Sequence, residues 1–221
     1  MCNLYSCVRS KDAVRGLVGG VGDWEDRAGN FPPLRAIFPD AVAPVVRNTA
    51  TGRELINMRW GHPSPPNSKS KVTTNIRNAK SNWWRSWLAP EYRCLVPVTS
   101  FCEPDWRMGK HVPTWYALSP DRPLFFFAGC WRPWRGLRGT RAEPVRGEHL
   151  IFAFLTTEPN ADVAPVHPKA MPVLLLERES RETWLNGSTE EALALQRPAP
   201  DDTLKIVALG SREDGLVPEM A

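Results

Sequence analysis

The residue with the most distinctive chemistry stands at position 2, where Met1 is followed by a cysteine. A side chain this small permits removal of the initiator methionine, which would leave Cys2 with a free α-amine beside its thiol. The amine titrates near ~8 and the thiol near ~8.5, so both nucleophiles are partly available at neutral pH. Such a 1,2-aminothiol condenses with an aldehyde to an imine, and the thiol then closes on the imine carbon to give a thiazolidine ring. Taken alone, a cysteine at this position is weak evidence of chemistry, and an incidental terminal residue is the plainer reading. A second feature is cationic. Arg132, Arg135, Arg138, Arg141 and Arg146 fall in one stretch containing Gly and Pro, which reads either as a flexible loop following a phosphate backbone or as a solvated surface loop.

The elements that must position these groups are short. With 22 Pro and 15 Gly set among β-branched and aromatic runs, the chain predicts an α+β, β-rich fold rather than a helical bundle. Strands are expected over 93–98, 114–118, 124–130, 149–156 and 171–176, with a last one over 204–207. A helix is expected over 78–88, where Trp83, Trp84 and Trp87 recur at three- and four-residue spacing and read as core. A second is expected from the capping-box pattern Ser188-Thr189-Glu190-Glu191 through Gln196. Residues 61–71, GHPSPPNSKSK, read as a long loop after a strand.

At 221 residues with 42% apolar side chains, the chain is expected to form one domain over 1–221, able to bury a continuous core without a metal or disulfide staple. No charged and apolar leader opens it and no run is long enough to span a bilayer, so a cytoplasmic protein without a membrane role is expected. Its five cysteines are expected as free thiols. None forms the C-x2-C pair that marks zinc, and no cofactor or metal is expected. The formal charge of +4 is too small to identify nucleic acid by itself.

Five segments occur in order: MCNLYS, MRWGHPSPP, TTNIRNAKS, RCLVPVTSFCEPDW and LTTEPNADVAPVHPKAMPVLL. From Cys2 to about Leu176 the chain resembles the SRAP family, the SOS response-associated peptidases also called abasic-site processing proteins. The resemblance implies a curved, barrel-like mixed sheet flanked by short helices, and a basic DNA-binding cleft. It also implies self-removal of Met1, a thiazolidine crosslink between Cys2 and the ring-opened sugar of an abasic site in single-stranded DNA, and weak lyase activity. By motif, Cys2 is the nucleophile, Asn75 positions the terminal amine, Glu103 is the general acid/base and His167 transfers protons. Arg77 would hold a phosphate, Thr156 would hydrogen-bond ligand, and Pro39, Trp60 and Trp106 would shape the DNA path.

Each residue also has a plainer reading: Asn75 as a helix N-cap, Glu103 as a surface carboxylate at a strand end, and His62, His111 and His149 as solvent-facing or structural. The chain departs from the commoner pattern where Pro104-Asp105 separates Glu103 from Trp106 and where an extra residue follows His167. Lys169 replaces an arginine out of register, and Cys-Asn-Leu-Tyr replaces Cys-Gly-Arg-Tyr. The rival functions are an N-terminal-nucleophile amidohydrolase or glutamine amidotransferase acting through Cys2, and a noncatalytic nucleic-acid-binding module. A monomer is expected, with single-stranded DNA and replication-fork proteins as partners.

Overall fold

The computed structural model describes residues 2–18, 22–64, 72–107, 109–139 and 142–215. The chain runs through β1 (Tyr5–Cys7), α1 (Lys11–Val18), β2 (Asp23–Asp26), β3 (Leu34–Ile37), β4 (Val42–Asn48), β5 (Gly52–Trp60), β6 (His62–Pro63), β7 (Val72–Thr73) and β8 (Asn75–Ile76). It continues through α2 (Asn82–Arg85), a 3-10 turn, β9 (Arg93–Val98), β10 (Ser100–Asp105), β11 (Val112–Ala117), β12 (Phe125–Gly139) and β13 (Pro144–Thr157). It ends with β14 (Met171–Pro172), β15 (Leu174–Leu175), α3 (Arg178–Asn186), α4 (Thr189–Ala194) and β16 (Lys205–Leu209).

The larger sheet closes on itself. Neighbours run β13-β12-β9-β4-β5, and a parallel pairing of β5 with β13, Arg59 opposite Ile151 and Trp60 opposite Phe152, completes a ring of five strands. Closure removes the free edges that an open sheet would expose. A second sheet, in the order β16-β11-β10-β1-β3, packs on one face of the ring.

Alternation along the ring strands sorts side chains between two cores. Val96, Val98, Phe125, Phe127, Phe152 and Phe154 meet Tyr5, Phe101 and Tyr116 of the second sheet. Leu95, Phe126, Ala128 and Leu155 point the other way, against Val14 and Val18 of α1, Trp84 of α2, and Trp184 and Leu185 of α3. This two-sided burial explains why β9 and the start of β12 read as unbroken apolar runs rather than alternating ones. At Gly129 the sheet and α3 come closest: Trp184 donates its indole N–H to the carbonyls of Cys94 and Gly129 at 3.0 Å each. A Cβ at Gly129 would stand 2.8 Å from Cys94 Sγ.

Strand 93–98 and the capping box at Ser188 form as the sequence predicts. Three expectations need correction. The helix over 78–88 shrinks to Asn82–Arg85, because Trp84 and Trp87 turn inward onto the buried ring of His62, the latter at 4.4 Å between centroids. The arginine stretch is no loop: β12 and β13 stay paired from Gly129 opposite Phe154 out to Gly139 opposite Pro144, making a two-stranded arm. Arg138 is buried on it, donating through Nε to Asp40 at 2.8 Å, while Arg141 lies outside the described residues. The strand over 171–176 is divided into β14 and β15, which pair with different neighbours. Residues 61–64 begin with a short strand pairing β6 to β7, and 65–71 lie outside the described residues. Among the described residues, no helix is long and apolar enough to cross a membrane.

Candidate active site

Cys2 lies three residues before β1, and Glu103 lies on β10, the neighbouring strand of the smaller sheet. β1 pairs antiparallel with β10, Tyr5 opposite Phe101 and Ser6 opposite Ser100, and Cys102 donates its N–H to the Leu4 carbonyl at 2.9 Å. That register places the residue preceding β1 beside the middle of β10. Cys2 is buried, its thiol 3.5 Å from the Leu4 carbonyl. Burial, reinforced by the negative charge of Glu103, holds the thiol well above its ordinary pKa.

Asn75 is brought in by the larger sheet. It sits in β8, parallel to β13 and in register with Phe154, and therefore is not a helix cap. Its Nδ2 donates to the Cys2 carbonyl at 2.7 Å and to Thr74 Oγ1 at 2.8 Å, and the Thr74 hydroxyl donates to Asn3 Oδ1 at 3.2 Å. The carboxamide's other end, Oδ1, is buried with no hydrogen-bond partner. A buried acceptor left unpaired costs free energy. Nothing in the sequence pattern singles out Thr74 or Asn3, because their roles depend on contact between chain-distant segments.

Glu103 is fully buried, and neither carboxylate oxygen has a hydrogen-bond partner. Burial raises its pKa to about 8, so at neutral pH it is predominantly a carboxylic acid. His167 Nδ1 lies 3.6 Å from Glu103 Oε2 and donates to the Ala170 carbonyl at 2.7 Å. Burial lowers the imidazole's pKa. The two groups therefore meet as a neutral acid and a neutral base, despite a separation short enough for an ion pair. His167 borders a cleft of about 460 Å³ lined by Trp106, Arg107, Pro165, Val166 and Lys169.

Of the remaining predicted residues, Trp106 shares the cleft beside His167 and the others separate from it. Trp106 is 62% exposed and tilted against His111. Pro39 is exposed, and Arg77 is a surface cation 3.4 Å from Glu158. Thr156 is buried, its hydroxyl unpartnered and its carbonyl bonded by Gln196. Trp60 is wholly buried, stacked on Phe154 at 5.2 Å and edge-on to Tyr5. It presents no surface to a DNA strand, because the side-chain period of β5 sends it into the core with Ile56 and Met58. Among the described residues, no group of three His, Cys, Asp or Glu is placed to hold a metal.

Fold and site together define a β-rich α+β protein in which a cysteine at the start of the chain is held among a carboxamide, a buried carboxylic acid and an imidazole. Residues 1–212 match the family described as SOS response associated peptidase (SRAP), and the chain belongs to that family. Membership associates it with the SOS response to DNA damage and with peptidase-type chemistry. No curated protein matches the sequence. Solved structures share the fold. A protein from Bordetella bronchiseptica aligns at 22% identity over 97% of this chain and 100% of that one, with a TM-score of 0.69. One from Bacteroides thetaiotaomicron aligns at 21% identity over 92% and 90%, with a TM-score of 0.71. A phage-related protein from Bordetella bronchiseptica aligns at 19% identity over 92% of each chain, with a TM-score of 0.66.

Proposed function

We propose that this protein marks abasic sites in single-stranded DNA by bonding to them covalently through Cys2, after removal of Met1. The observation that carries this reading is the placement of Asn75: its Nδ2 fixes the Cys2 carbonyl at 2.7 Å while its buried Oδ1 remains unpaired. That acceptor is suited to orient an α-amine without charging it.

The protonation states set the order of events. The Cys2 thiol, held protonated by burial, is a poor nucleophile in the resting site. The α-amine therefore attacks first. Glu103, neutral at pH 7, gives its proton to the ring oxygen as the sugar opens and takes back the C1 hydroxyl proton, then protonates the carbinolamine hydroxyl so that it leaves as water and recovers the proton from nitrogen as the imine forms. The thiol then adds across the C=N bond: a C–S bond forms, the π electrons move to nitrogen, and the thiol proton passes to that nitrogen through Glu103 or His167. The product is a thiazolidine. If β-elimination from the imine precedes ring closure, hydrolysis releases a cleaved strand, the weak lyase outcome. Replication-fork proteins are the partners this role would bring, and the bacterial cytoplasm its setting.

The test is a denaturing gel of the protein with a single-stranded oligonucleotide carrying one abasic site, beside an undamaged oligonucleotide and Cys2→Ala. A slow-migrating band that needs both the lesion and Cys2 is expected. A persistent band with Cys2→Ala, or none with the wild type after mass spectrometry shows Met1 removed, overturns the reading.

A further inference from the structure

The hydrogen bonds that tie the start of the chain to β8 run in one direction. Asn75 spends one Nδ2 hydrogen on the Cys2 carbonyl at 2.7 Å and the other on Thr74 Oγ1 at 2.8 Å. The Thr74 hydroxyl in turn gives its proton to Asn3 Oδ1 at 3.2 Å. Thr74 is buried and held in place, its carbonyl accepting from the Trp60 indole at 3.1 Å and from the Phe154 N–H at 3.4 Å. Asn3 forms the exposed end of the series.

Counting donors shows what sets the direction of the Asn75 carboxamide. A hydroxyl has one proton and two acceptor lone pairs. With its proton spent on Asn3, Thr74 can only accept from Asn75, and the Cys2 carbonyl can likewise only accept. A carboxamide turned end for end would set Oδ1 against two acceptors. Both Nδ2 hydrogens are therefore committed, and Oδ1 is the end left buried without a partner. Without an acceptor at Asn3, the Thr74 proton could turn to Asn75 and half of this constraint would go. The same bonds pin three successive residues: Cys2 by its carbonyl, Asn3 by its side chain, and Leu4 by its carbonyl, which accepts from Cys102 N–H at 2.9 Å. A chain held in this way leaves an amine at its first residue little freedom of direction.

We propose that Thr74 and Asn3 are positioning residues for the Cys2 α-amine: acting through Asn75, they keep its Oδ1 available to accept an amine N–H and so hold the amine in one orientation for attack on an aldehyde. The inference rests on the reading of Cys2 as an aldehyde-trapping aminothiol, and it adds two residues that act on the amine only through others. Orientation of this kind affects the rate of attack rather than the charge of the nucleophile, because the series contains only neutral groups.

The experiment uses protein whose mass shows Met1 removed, and two substrates: a single-stranded oligonucleotide with one abasic site, and acetaldehyde, whose thiazolidine at Cys2 is read by mass. Acetaldehyde has no phosphate to bind, so a loss shared by both substrates is a loss at the amine. Thr74→Val, which keeps the shape and removes the hydroxyl, is expected to slow single-turnover trapping of both about tenfold. Thr74→Ser keeps the hydroxyl and is expected to stay within about threefold of wild type. Asn3→Ala, at an exposed position with little folding risk, is expected to slow both about fivefold, and it decides the matter alone if Thr74→Val does not fold. Because the two residues act as one series, the double variant should be no slower than Thr74→Val, where independent effects would multiply to about fiftyfold. Wild-type rates for Thr74→Val or Asn3→Ala, losses that multiply, Thr74→Ser as slow as Thr74→Val, or losses on the oligonucleotide alone each overturn the proposal. Trapping of acetaldehyde with the expected dependences, but never of the abasic strand, would leave the positioning role standing and refute the abasic-site reading. Trapping of the strand at equal rates by wild type and variants would refute the positioning role alone, and no trapping of either substrate by the wild type overturns both.

Discussion

The imidazole of His167 approaches the carboxyl of Glu103 to 3.6 Å, but spends its Nδ1 proton on the Ala170 carbonyl at 2.7 Å instead. The consequence is a pair of neutral groups. An ion pair would need both charges in a site that desolvates each of them, and removing water from two ions costs more than an imperfect contact returns.

The first prediction concerns pH. Because burial raises Glu103 to about 8, crosslink formation should stay high through neutral pH and fall as pH rises past that value, where the acid is lost. Glu103→Gln should remove this alkaline limb and slow the reaction about 10²-fold. Stability follows the same sign. A carboxyl with a raised folded-state pKa stabilises the fold fully below its unfolded pKa, and loses that contribution as pH climbs through the folded value. Urea unfolding should therefore show wild type weakening towards alkaline pH and Glu103→Gln resisting, by at most about 5 kcal/mol. Parallel curves would contradict the buried neutral acid.

Asn75→Ala should slow crosslinking about tenfold or more while leaving noncovalent affinity for single strands within about twofold, because the carboxamide orients Cys2 rather than holding phosphate. Single-turnover rates and anisotropy measured on the same preparations separate the two effects. A loss confined to affinity would reassign Asn75 to binding.

Asp214 is buried under the sheet that carries Cys2, accepting from Arg122 Nε at 2.7 Å and Ser100 Oγ at 2.6 Å. Asp214→Ala leaves a buried guanidinium without its partner and should cost about 3–5 kcal/mol in urea unfolding. A change under about 1 kcal/mol would show the pair to be dispensable.

Trp60→Ala should destabilise by about 3–5 kcal/mol, as removal of a large core side chain does. The folded fraction should keep wild-type affinity for single strands, since the indole is stacked on Phe154 inside the protein. Selective loss of DNA binding with unchanged stability would restore a contact role.

What the sequence determined by itself was local: the aminothiol potential of Cys2, the apolar run at 93–98, the capping box at Ser188, and the motif order that names Asn75, Glu103 and His167. Local pattern encodes side-chain period and turn preference, and these survive folding. What the tertiary structure decided depends on groups far apart in the chain. Asn75 reaches Cys2 across 73 residues, and that contact, rather than helix capping, is its use. The arginine stretch became a paired arm because β12 and β13 satisfy each other's backbone well beyond the core. Trp84 and Trp87 gave up a longer helix to enclose His62, while Trp83, expected in the core, stays exposed. Trp60 went inward and Glu103 became an acid at neutral pH for one physical reason: burial is set by the whole packed surroundings, and no window of neighbouring residues contains it.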